Sequence, residues 1–545
     1  MPASKGITGA GGNSIYTHII VGGGTAGCVM ASRLTEDPDV RLLLLEAGPH
    51  DTSRNIHFPA LYYKLTGGPL TWGYHTAPSA QRDGYEMPFA QARVLGGGSS
   101  INGMVFTRGH ASDYDRWASE CGCVGWSFAE VQPYFQRSEN NTRLTNSFHG
   151  HDGPIGVSDL ISPLPISKAF VDAAQQAGLP FNDDFNGADQ TGCGLYQVTQ
   201  RRARRSSAAV EYLRPALNRG TLEVKTSATV LRVLVDAGRA TGVEYLHNGS
   251  STKATADNCV IISAGAIGSP ALLLRSGIGP ASELEAVGVQ PIHDLPGVGK
   301  NLQDHIDVYS IHALNGAYTY DKHTRWHKQL LAALQYLAFR TGPVTSNLAE
   351  AGGFWRIDPS TSIDNPPDIQ FHFLPGAGIE AGVPPVPGGY GCTINSCFLH
   401  PRSRGSVRLR SARVDDAPII DPNYWSEQYD LDMSLQGFEM TREIASQPAL
   451  SRLIKHEHLP GAAVKTRKDL IAYAKRFGKT DYHPVGTCKM GVDDASVVDP
   501  QCRLHGIEGL RVADSSIMPQ LISSNTNAAT VMLAEKASDL IQGVK

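Results

Sequence analysis

A glycine-rich turn near the N-terminus constrains the fold of this chain more than any other feature. Gly22, Gly24 and Gly27 follow the spacing G-x-G-x-x-G and come directly after residues 16–21, which end in the apolar run Ile-Ile-Val. That run is typical of a buried strand, and the residues after the turn predict a helix over residues 26–34. Strand, glycine turn and helix in this order indicate a βαβ unit that binds a dinucleotide.

The three glycines and a downstream acid have distinct expected roles. The first glycine permits the tight turn, the second lets the backbone approach a pyrophosphate, and the third lets helix and strand pack closely. The phosphates then lie at the helix N-terminus, where free N–H groups favour anions. Glu46 stands 24 residues after Gly22, where its carboxylate can accept hydrogen bonds from ribose hydroxyls. A turn without a ligand is the alternative, and the choice between NAD and FAD stays open at this point.

Length and composition narrow the class of protein. With 545 residues, the chain is too long for one compact core, which predicts two or three domains. A net charge of −4 gives no reason to expect a nucleic-acid partner. The nine scattered cysteines favour reduced thiols in a cytoplasmic protein over a disulfide framework. No signal peptide and no spanning helix are expected, although loose membrane association stays open.

The order of the predicted elements indicates two intertwined domains. A Rossmann-like α/β domain is expected to bind the nucleotide, and a second domain, built on an antiparallel sheet with helices, is expected to bind the substrate. The first is assigned to residues 15–160, 205–310 and 475–543, the second to residues 161–204 and 311–474, and a flexible tail to residues 1–14.

Single elements of this arrangement follow from their periodicity. Residues 221–235 are expected to form one strand of the nucleotide domain. In the second domain, residues 367–374 and 405–410 alternate like strands of a half-exposed antiparallel sheet. Residues 324–340 predict an amphipathic helix that stops at a Thr-Gly-Pro sequence.

A second glycine-rich loop favours FAD over NAD. Residues 92–102 contain three consecutive glycines followed by Ser99 and Ser100, which offer further N–H groups and hydroxyls. One NAD site does not need this loop, whereas the longer FAD spreads its pyrophosphate, ribityl chain and ring along a cleft. Leu95 and Ile101 on either side favour an anchored loop over a flexible linker.

Four long motifs resemble those of the GMC (glucose–methanol–choline) oxidoreductase family. They occupy residues 92–115, 265–279, 296–305 and 481–491. The resemblance extends over residues 15–543, and the motifs occur in the order of the family. Within the family, the chain is most similar to the bacterial L-sorbose, polyethylene-glycol and choline dehydrogenase branch, through stretches such as residues 184–188 and 342–354.

The resemblance implies a flavoprotein with non-covalent FAD. Some members attach FAD through a histidine where this chain has Ile101, which cannot form that bond. The resemblance also places Val230 near the adenine, although a core valine is the simpler interpretation, and Asp514 near the ribityl chain or pyrophosphate. No metal site is expected. The residues expected to bind the cofactor are Gly22, Gly24, Thr25, Ala26, Gly27, Glu46, Ala47, Arg93, Gly96, Gly97, Ser99, Ser100, Asn102, Gly103, Val230, Ala264, Gly265, Ala513, Asp514, Asn527 and Ala528.

Alcohol oxidation by a flavin needs a base for the hydroxyl proton, and histidine is the natural choice because its pKa lies near neutral pH. Composition alone cannot select one of 19 histidines. The resemblance assigns the base to His483, with Tyr482 in the substrate pocket, and the alkoxide partner to Asn527. A packed histidine and a helix-capping asparagine are the alternatives. His305 is expected to pack or hydrogen-bond near the flavin domain.

The expected activity is FAD-dependent oxidation of a primary, polyol or sugar alcohol, with hydride transfer to flavin N5. Electrons would pass to a quinone-like acceptor or to oxygen, and not to NAD. Asp481 is polar where an oxidase often has a small apolar residue, which favours a dehydrogenase. An aryl or furan alcohol oxidase that releases hydrogen peroxide is the first alternative. A hydroxynitrile lyase that keeps FAD without redox chemistry is the second.

Overall fold

The computed structural model describes residues 15–360, 362–380 and 382–543, so the tail expected at residues 1–14 lies outside the described residues. Its strands, in chain order, are β1 Ile15–Val21, β2 Leu42–Leu45, β3 Glu139–Asn141, β4 Ile155–Val157, β5 Gly192–Leu195, β6 Gln200–Arg201, β7 Arg204–Arg205, β8 Leu222–Lys225, β9 Ala228–Asp236, β10 Arg239–His247, β11 Ser250–Ile262, β12 Ile278–Gly279, β13 His293–Asp294, β14 Ile306–Leu314, β15 Ala351–Trp355, β16 Ile369–Leu374, β17 Gly391–Phe398, β18 Ser406–Arg408, β19 Ile419–Asp421, β20 Ile454–Leu459, β21 Lys479–Thr480 and β22 Leu510–Val512.

Helices connect these strands and cover the sheets. In chain order they are α1 Thr25–Leu34, α2 Arg54–His57, α3 Gly98–Ile101, α4 Ala111–Glu120, α5 Phe128–Ser138, α6 Pro165–Gln176, α7 Arg214–Ala216, α8 Gly265–Arg275, α9 Ala281–Ala286, α10 Trp326–Phe339, α11 Gln428–Ser446, α12 Pro448–Ser451, α13 Arg467–Phe477 and α14 Asn527–Gln542. Short 3-10 turns, among them Pro59–Lys64, link several of them.

The first large sheet has a parallel centre, in the order β8-β2-β1-β11, with β22 also pairing with β11. Val21 pairs with Leu45 on one side and with Ile262 on the other, so the carboxyl ends of three strands coincide. All four leucines of β2 are buried, and α1 packs against β1, β2 and α14. This confirms the Rossmann-like α/β domain.

The same sheet continues as an antiparallel extension through β11, β10 and β9. The single strand expected over residues 221–235 is therefore two strands. β8 pairs with β2 at one edge of the sheet, whereas β9 pairs with β10 at the other edge, so the two cannot be one continuous strand. Ser227 lies between them with a φ of 53°, in the left-handed region that few side chains adopt.

The second large sheet has the order β20-β14-β17-β16-β15-β5, with β21 also pairing with β14. Its strands pair antiparallel, as expected. The sequence assigned two parts of this sheet to the nucleotide domain, namely residues 306–310 at the start of β14 and all of β21 at 479–480. The other sheets are short and two-stranded; they pair β3 with β4, β6 with β7, β12 with β13 and β18 with β19.

The prediction of a half-exposed antiparallel strand was wrong for residues 367–374. All residues of β16 and β17 are buried. On β16, Phe371 and Phe373 pack into a core with α6 and α11, while His372 and Leu374 point into a cleft on the opposite face. β16 is buried because helices cover one side of the sheet and the cleft shared with the first domain lies on the other. The segment expected as a further strand of this sheet instead forms β18, paired only with β19.

The helix predicted over residues 324–340 is α10, but its apolar side faces outward. Among its side chains only Ala332 and Tyr336 are buried. Across the described ranges, no helix combines the length and hydrophobicity needed to cross a membrane. All nine cysteines are free, whereas the expected cytoplasmic location stays a prediction.

Candidate active site

A cleft of about 520 Å³ is lined by residues of both large sheets, which is a usual size for a small-molecule site. The first sheet contributes the residues that follow the carboxyl ends of β1 and β2, among them Gly24 and Glu46. The second sheet contributes His372 and Leu374 of β16 and Asn395 of β17. Ligands of open α/β sheets bind outside the carboxyl ends of the strands, and this cleft lies there.

At two of the three glycines of the β1–α1 motif, Gly22 and Gly27, no residue larger than glycine fits. Gly22 has a φ of 104°, and an added Cβ would lie 2.4 Å from the Ser263 carbonyl oxygen. At Gly27 a Cβ would lie 1.9 Å from the Gly22 carbonyl oxygen. At Gly24, by contrast, the nearest atoms are 3.8 and 3.9 Å away. Gly24 lines the cleft and precedes α1 without a side-chain cap, so the first N–H groups of the helix suit a phosphate.

Glu46 is held in place by backbone donors on both carboxylate oxygens. Gly23 N–H donates to Oε2 at 2.9 Å, and Gly48 N–H donates to Oε1 at 2.7 Å. The side chain is buried, and burial raises the pKa of this carboxyl. The fixed carboxylate lines the cleft at the end of β2, where a ribose would present its hydroxyls.

The second glycine-rich loop packs directly on the first. A Cβ at Gly97 would lie 2.6 Å from Gly24 Cα, and Ser99 N–H donates to Thr25 Oγ1 at 3.2 Å. The serine hydroxyls turn inward: Ser99 Oγ donates to the Gly96 carbonyl at 2.6 Å, and Ser100 Oγ donates to the Leu95 carbonyl at 2.9 Å. The loop therefore offers backbone to the cleft, while its hydroxyls fix its own shape.

The structure divides the residues expected to bind the cofactor into two groups. Gly27, Gly96, Ser99, Ser100, Ala513 and Ala528 do not line the cleft and instead belong to the supporting backbone. The remaining members of that set, Gly22, Gly24, Thr25, Ala26, Glu46, Ala47, Arg93, Gly97, Asn102, Gly103, Val230, Ala264, Gly265, Asp514 and Asn527, line it.

Asp514 organises the far wall of the cleft through its side chain. Its Oδ2 accepts from Gly265 N–H at 2.9 Å and from Ser269 Oγ at 2.6 Å, which fixes the start of α8. Ile101 also lines the cleft and carries no group that could bond covalently to a flavin. The close-packed glycines, the open Gly24 and the anchored Glu46 together fit a dinucleotide held without a covalent bond.

His483 lies in the same cleft and is nearly fully buried. Its backbone N–H donates to Asp304 Oδ1 at 2.7 Å. Asp304 Oδ2 in turn accepts from Thr480 Oγ1 at 2.6 Å and from the Tyr424 hydroxyl. Tyr482, which also lines the cleft, has a φ of 64°, and these contacts hold that unusual backbone in place.

Hydrogen bonds determine which ring nitrogen of His483 is free to accept a proton. The Leu399 carbonyl can only accept, so His305 Nε2, at 3.1 Å, must donate to it. In a neutral ring, His305 Nδ1 then carries a lone pair and accepts from His483 Nδ1, at 3.0 Å. The lone pair of His483 therefore lies on Nε2, which points toward the cleft.

Burial keeps both rings neutral. Burial, together with the charges of His372 and Lys479, lowers the pKa of His483 to about 3. Burial also lowers the pKa of His305 well below its ordinary value. A neutral His483 carries its lone pair on Nε2, the nitrogen that can act as a proton acceptor.

The amide beside His483 belongs to Asn525, and not to Asn527 as expected. Asn525 Nδ2 lies 3.0 Å from His483 Nε2. Its Oδ1 accepts from Thr107 Oγ1 at 2.9 Å and from Gln370 Nε2 at 3.0 Å, so the NH₂ group must face His483. Asn527 is the first residue of α14, and its Oδ1 accepts from Thr25 Oγ1 at 3.4 Å.

Sequence reasoning also missed the buried charges on the substrate side. Lys479 Nζ lies 2.5 Å from Asp307 Oδ2 and 3.2 Å from Glu380 Oε1. Asn395 Nδ2 donates to Glu380 Oε2 at 3.0 Å. Asp481 Oδ2 lies 3.4 Å from His483 Nδ1, and burial raises the pKa of its carboxyl. Lys479 and Asp481 stand close to His483 in the chain, whereas Asp307, Glu380 and Asn395 come from distant segments that no short motif joins to it.

Asp307, His372 and Asp481 have ligand atoms within 4.8 Å of one another, as a metal site would. However, the Lys479 ammonium already neutralises Asp307, and this disfavours a cation at the same place. Burial raises the pKa of Asp307 to about 6. The trio therefore does not fit a metal centre, and two of its members, His372 and Asp481, form a polar wall of the cleft with Glu380 and Asn395.

Family models described as GMC oxidoreductase match residues 16–307 and 401–534. An alcohol dehydrogenase [acceptor] of Pseudomonas putida is 41% identical over 537 residues, covering 97% of this chain and 96% of the relative. The mitochondrial choline dehydrogenase of Homo sapiens is 42% identical over 539 residues, covering 97% and 90%. The crystal structure of pyridoxine 4-oxidase from Mesorbium loti superposes with a TM-score of 0.86 at 31% identity, covering 96% and 98%.

Proposed function

The chain belongs to the GMC oxidoreductase family and is an FAD-dependent oxidoreductase that acts on alcohol donors; from this premise we propose that it is a dehydrogenase for a primary, polyol or sugar alcohol. The product is the aldehyde or ketone, and the electrons leave to an acceptor other than NAD. The observation that carries the proposal is the pair formed by His483 Nε2 and the Asn525 amide, 3.0 Å apart in the cleft.

The two residues have different roles toward the substrate hydroxyl: one acts as the base and the other as a hydrogen-bond donor. His483 Nε2 accepts the hydroxyl proton, because its lone pair faces the cleft and the ring is neutral. The Asn525 NH₂ group donates to the same oxygen and stabilises the negative charge that develops on it. FAD, when bound, supplies the acceptor for the hydride that leaves the carbon.

The rest of the chain keeps this pair ready for the substrate. His305 fixes the tautomer of His483, while Thr107 and Gln370 fix the orientation of the Asn525 amide. An arriving alcohol replaces the hydrogen bond between Asn525 and His483 Nε2, while the contacts of His305, Thr107 and Gln370 keep both side chains in position.

The polar wall supports a substrate that is itself polar. Glu380 and Asp481 line the cleft together with Asn395 and His372, and these groups suit the further hydroxyls of a polyol or sugar, as in the L-sorbose dehydrogenase branch. The same carboxylates suit a cationic group, and one relative is named for choline. A quaternary ammonium alcohol is therefore the second substrate class to test.

The proposal is tested by mixing the FAD-loaded enzyme with alcohols in the absence of oxygen and following the absorbance of oxidised flavin. Sorbose, a polyol, a glycol, choline and a benzylic alcohol form the panel. We expect one polar class to bleach the flavin. His483→Ala should retain FAD but reduce the bleaching rate by about 10²- to 10⁴-fold, the usual contribution of a general base.

Other outcomes separate the alternatives. Hydrogen peroxide produced in proportion to substrate in air would identify an oxidase. Release of cyanide from a cyanohydrin, with the flavin oxidised throughout, would identify a lyase. A His483→Ala variant that bleaches as fast as the unaltered enzyme would contradict the proposed base.

A further inference from the structure

Helix α10 presents an apolar side to solvent. The outward apolar side chains, which we call the α10 face, are Trp326, Leu330, Leu331, Leu334, Leu337 and Phe339. Their exposed fractions run from 52% to 75%. All but Phe339 recur at spacings of three or four residues and so share one side of the helix, whereas Phe339 stands three residues after the buried Tyr336 and is exposed at the helix end. A helix on a globular domain normally buries such a stripe, and an exposed apolar patch of this kind marks an interaction site.

The opposite side of α10 attaches the helix firmly to the domain. Ala332 and Tyr336 are buried, and the Tyr336 hydroxyl donates to the Ala203 carbonyl at 3.0 Å. The Tyr336 ring meets Phe58 edge to face, with 5.3 Å between ring centroids. The α10 face is therefore fixed in its outward orientation by specific contacts on the inner side.

The charges around the α10 face have one sign. Lys322, Arg325 and Lys328 lie at the N-terminal end of the helix, and Arg340 follows its C-terminal end. No acidic residue occurs between Asp321 and Glu350. A basic rim around an apolar face is complementary to a surface that is apolar beneath and anionic on top.

We propose that the α10 face docks on a lipid bilayer that contains anionic phospholipids. Trp326 and Phe339 stand at the two ends of the helix and leucines lie between them, which is the composition of helices that lie in a membrane interface. At about 1.5 Å per residue the helix is too short to cross the bilayer, so it lies in the plane of the headgroups.

The charges favour lipid over a second copy of the chain. A symmetric dimer across the α10 face would place the same surface of both copies in contact. The basic rims of two antiparallel helices would then meet, with Arg325 and Lys328 of one copy near Arg340 of the other. Like charges in contact are repulsive, whereas phosphate headgroups neutralise them.

The test is flotation of the full-length, FAD-loaded enzyme with phosphatidylcholine vesicles, prepared with and without phosphatidylglycerol. We expect binding to the vesicles that contain phosphatidylglycerol and weaker binding at high salt. The variant Leu330→Gln/Leu334→Gln/Leu337→Gln should bind at least about tenfold more weakly, because it removes buried apolar contacts. Arg325→Gln/Lys328→Gln should weaken binding about fivefold for each charge removed.

A matched variant at exposed apolar residues elsewhere, Val124→Gln/Phe181→Gln, should bind like the unaltered enzyme; these residues are 77% and 60% exposed. All variants should reduce a soluble dye with alcohol at unchanged rates, since none touches the cleft. Failure to bind any vesicle, or full binding by the leucine variant, would overturn the proposal. So would a dimer in sedimentation velocity that the leucine variant abolishes, because a second copy would then cover the helix.

Discussion

Asn525 and Asn527 stand two residues apart, and their different contacts lead to opposite expectations for their variants. Asn525→Ala removes the donor that faces the substrate oxygen, so flavin reduction should slow by about 10²- to 10³-fold, as for loss of one such donor. Asn527→Ala removes only a 3.4 Å contact with Thr25 and should slow it far less. Stopped-flow reduction of the FAD-loaded variants measures both rates.

The two asparagine variants serve as controls for each other, because each removes the same carboxamide from the same short segment. FAD content should be close to normal in Asn525→Ala. If Asn527→Ala slows flavin reduction more than Asn525→Ala does, Asn527 and not Asn525 is the residue that stabilises the alkoxide.

His305 does not face the substrate but positions the residue that does. His305→Leu removes the acceptor for His483 Nδ1, so the ring can place its proton on Nε2, where it cannot act as a base. Flavin reduction should fall by about 10²-fold, with substrate affinity and FAD content little changed. His305→Gln keeps an acceptor oxygen and should recover most of the rate.

The pH dependence distinguishes a wrong tautomer from a wrong protonation state. Burial lowers the pKa of His483 to about 3, so the ring is neutral throughout the neutral range. Raising the pH should therefore not restore His305→Leu. Recovery of the rate at high pH, or equal losses in His305→Leu and His305→Gln, would contradict the positioning role.

Single residues of the site could be predicted only where a motif fixes them. His483 and Glu46 follow strong motifs, and both line the cleft. The choice between Asn525 and Asn527 depends on where α14 begins, at Asn527, and a helix boundary is uncertain by a residue or two from sequence. Glu380 meets Lys479 across 99 positions of chain, and only the tertiary fold brings such residues together.

At the scale of the element, alanine substitutions of two glycines in the β1–α1 motif should have different effects on stability and on FAD binding. Gly27→Ala places a Cβ 1.9 Å from the Gly22 carbonyl oxygen, so α1 must move, and the free energy of unfolding should fall by at least the ~1–3 kcal/mol typical of overpacking. Gly24→Ala meets nothing closer than 3.8 Å and should leave the fold stable, but its methyl group enters the cleft where the pyrophosphate is expected.

Denaturant unfolding of the FAD-free variants, together with their FAD content after reconstitution, separates the two effects. Gly24→Ala should unfold like the unaltered chain yet retain less FAD. If Gly24→Ala binds FAD normally, the backbone at this turn does not approach the cofactor.

Elements were predictable where local pattern and tertiary environment agree. The parallel strand β2 is a continuous apolar run and β1 ends in one, and α1 packs against both. The alternating pattern of β16 predicted a solvent-exposed face. Instead, one face of the strand packs into a helix-covered core and the other lines the cleft. The sequence pattern also missed the break between β8 and β9, because Ser227 is not a strong turn residue and its φ of 53° follows from the pairing of the neighbouring strands.

For the whole molecule, the cleft joins two domains that have separate cores. One core lies between β1, β11, α1 and α14, and another lies between β16, β17, α6 and α11. Since the cleft takes residues from both sheets, a cofactor bound there contacts both domains at once. FAD is therefore expected to stabilise the assembly as a whole and not one domain alone.

Removal and return of FAD tests this coupling. Adding FAD to the FAD-free protein should raise the midpoint of one cooperative thermal transition, and free FAD at one hundred times its Kd should add about 2.7 kcal/mol. FMN lacks the adenosine that Glu46 and Val230 are expected to contact, so at equal concentration it should raise the midpoint less. Equal stabilisation by FMN and FAD would place the adenosine outside the β1–β2 end of the cleft. Two separate transitions, only one of them sensitive to FAD, would mean that the cofactor is held by a single domain.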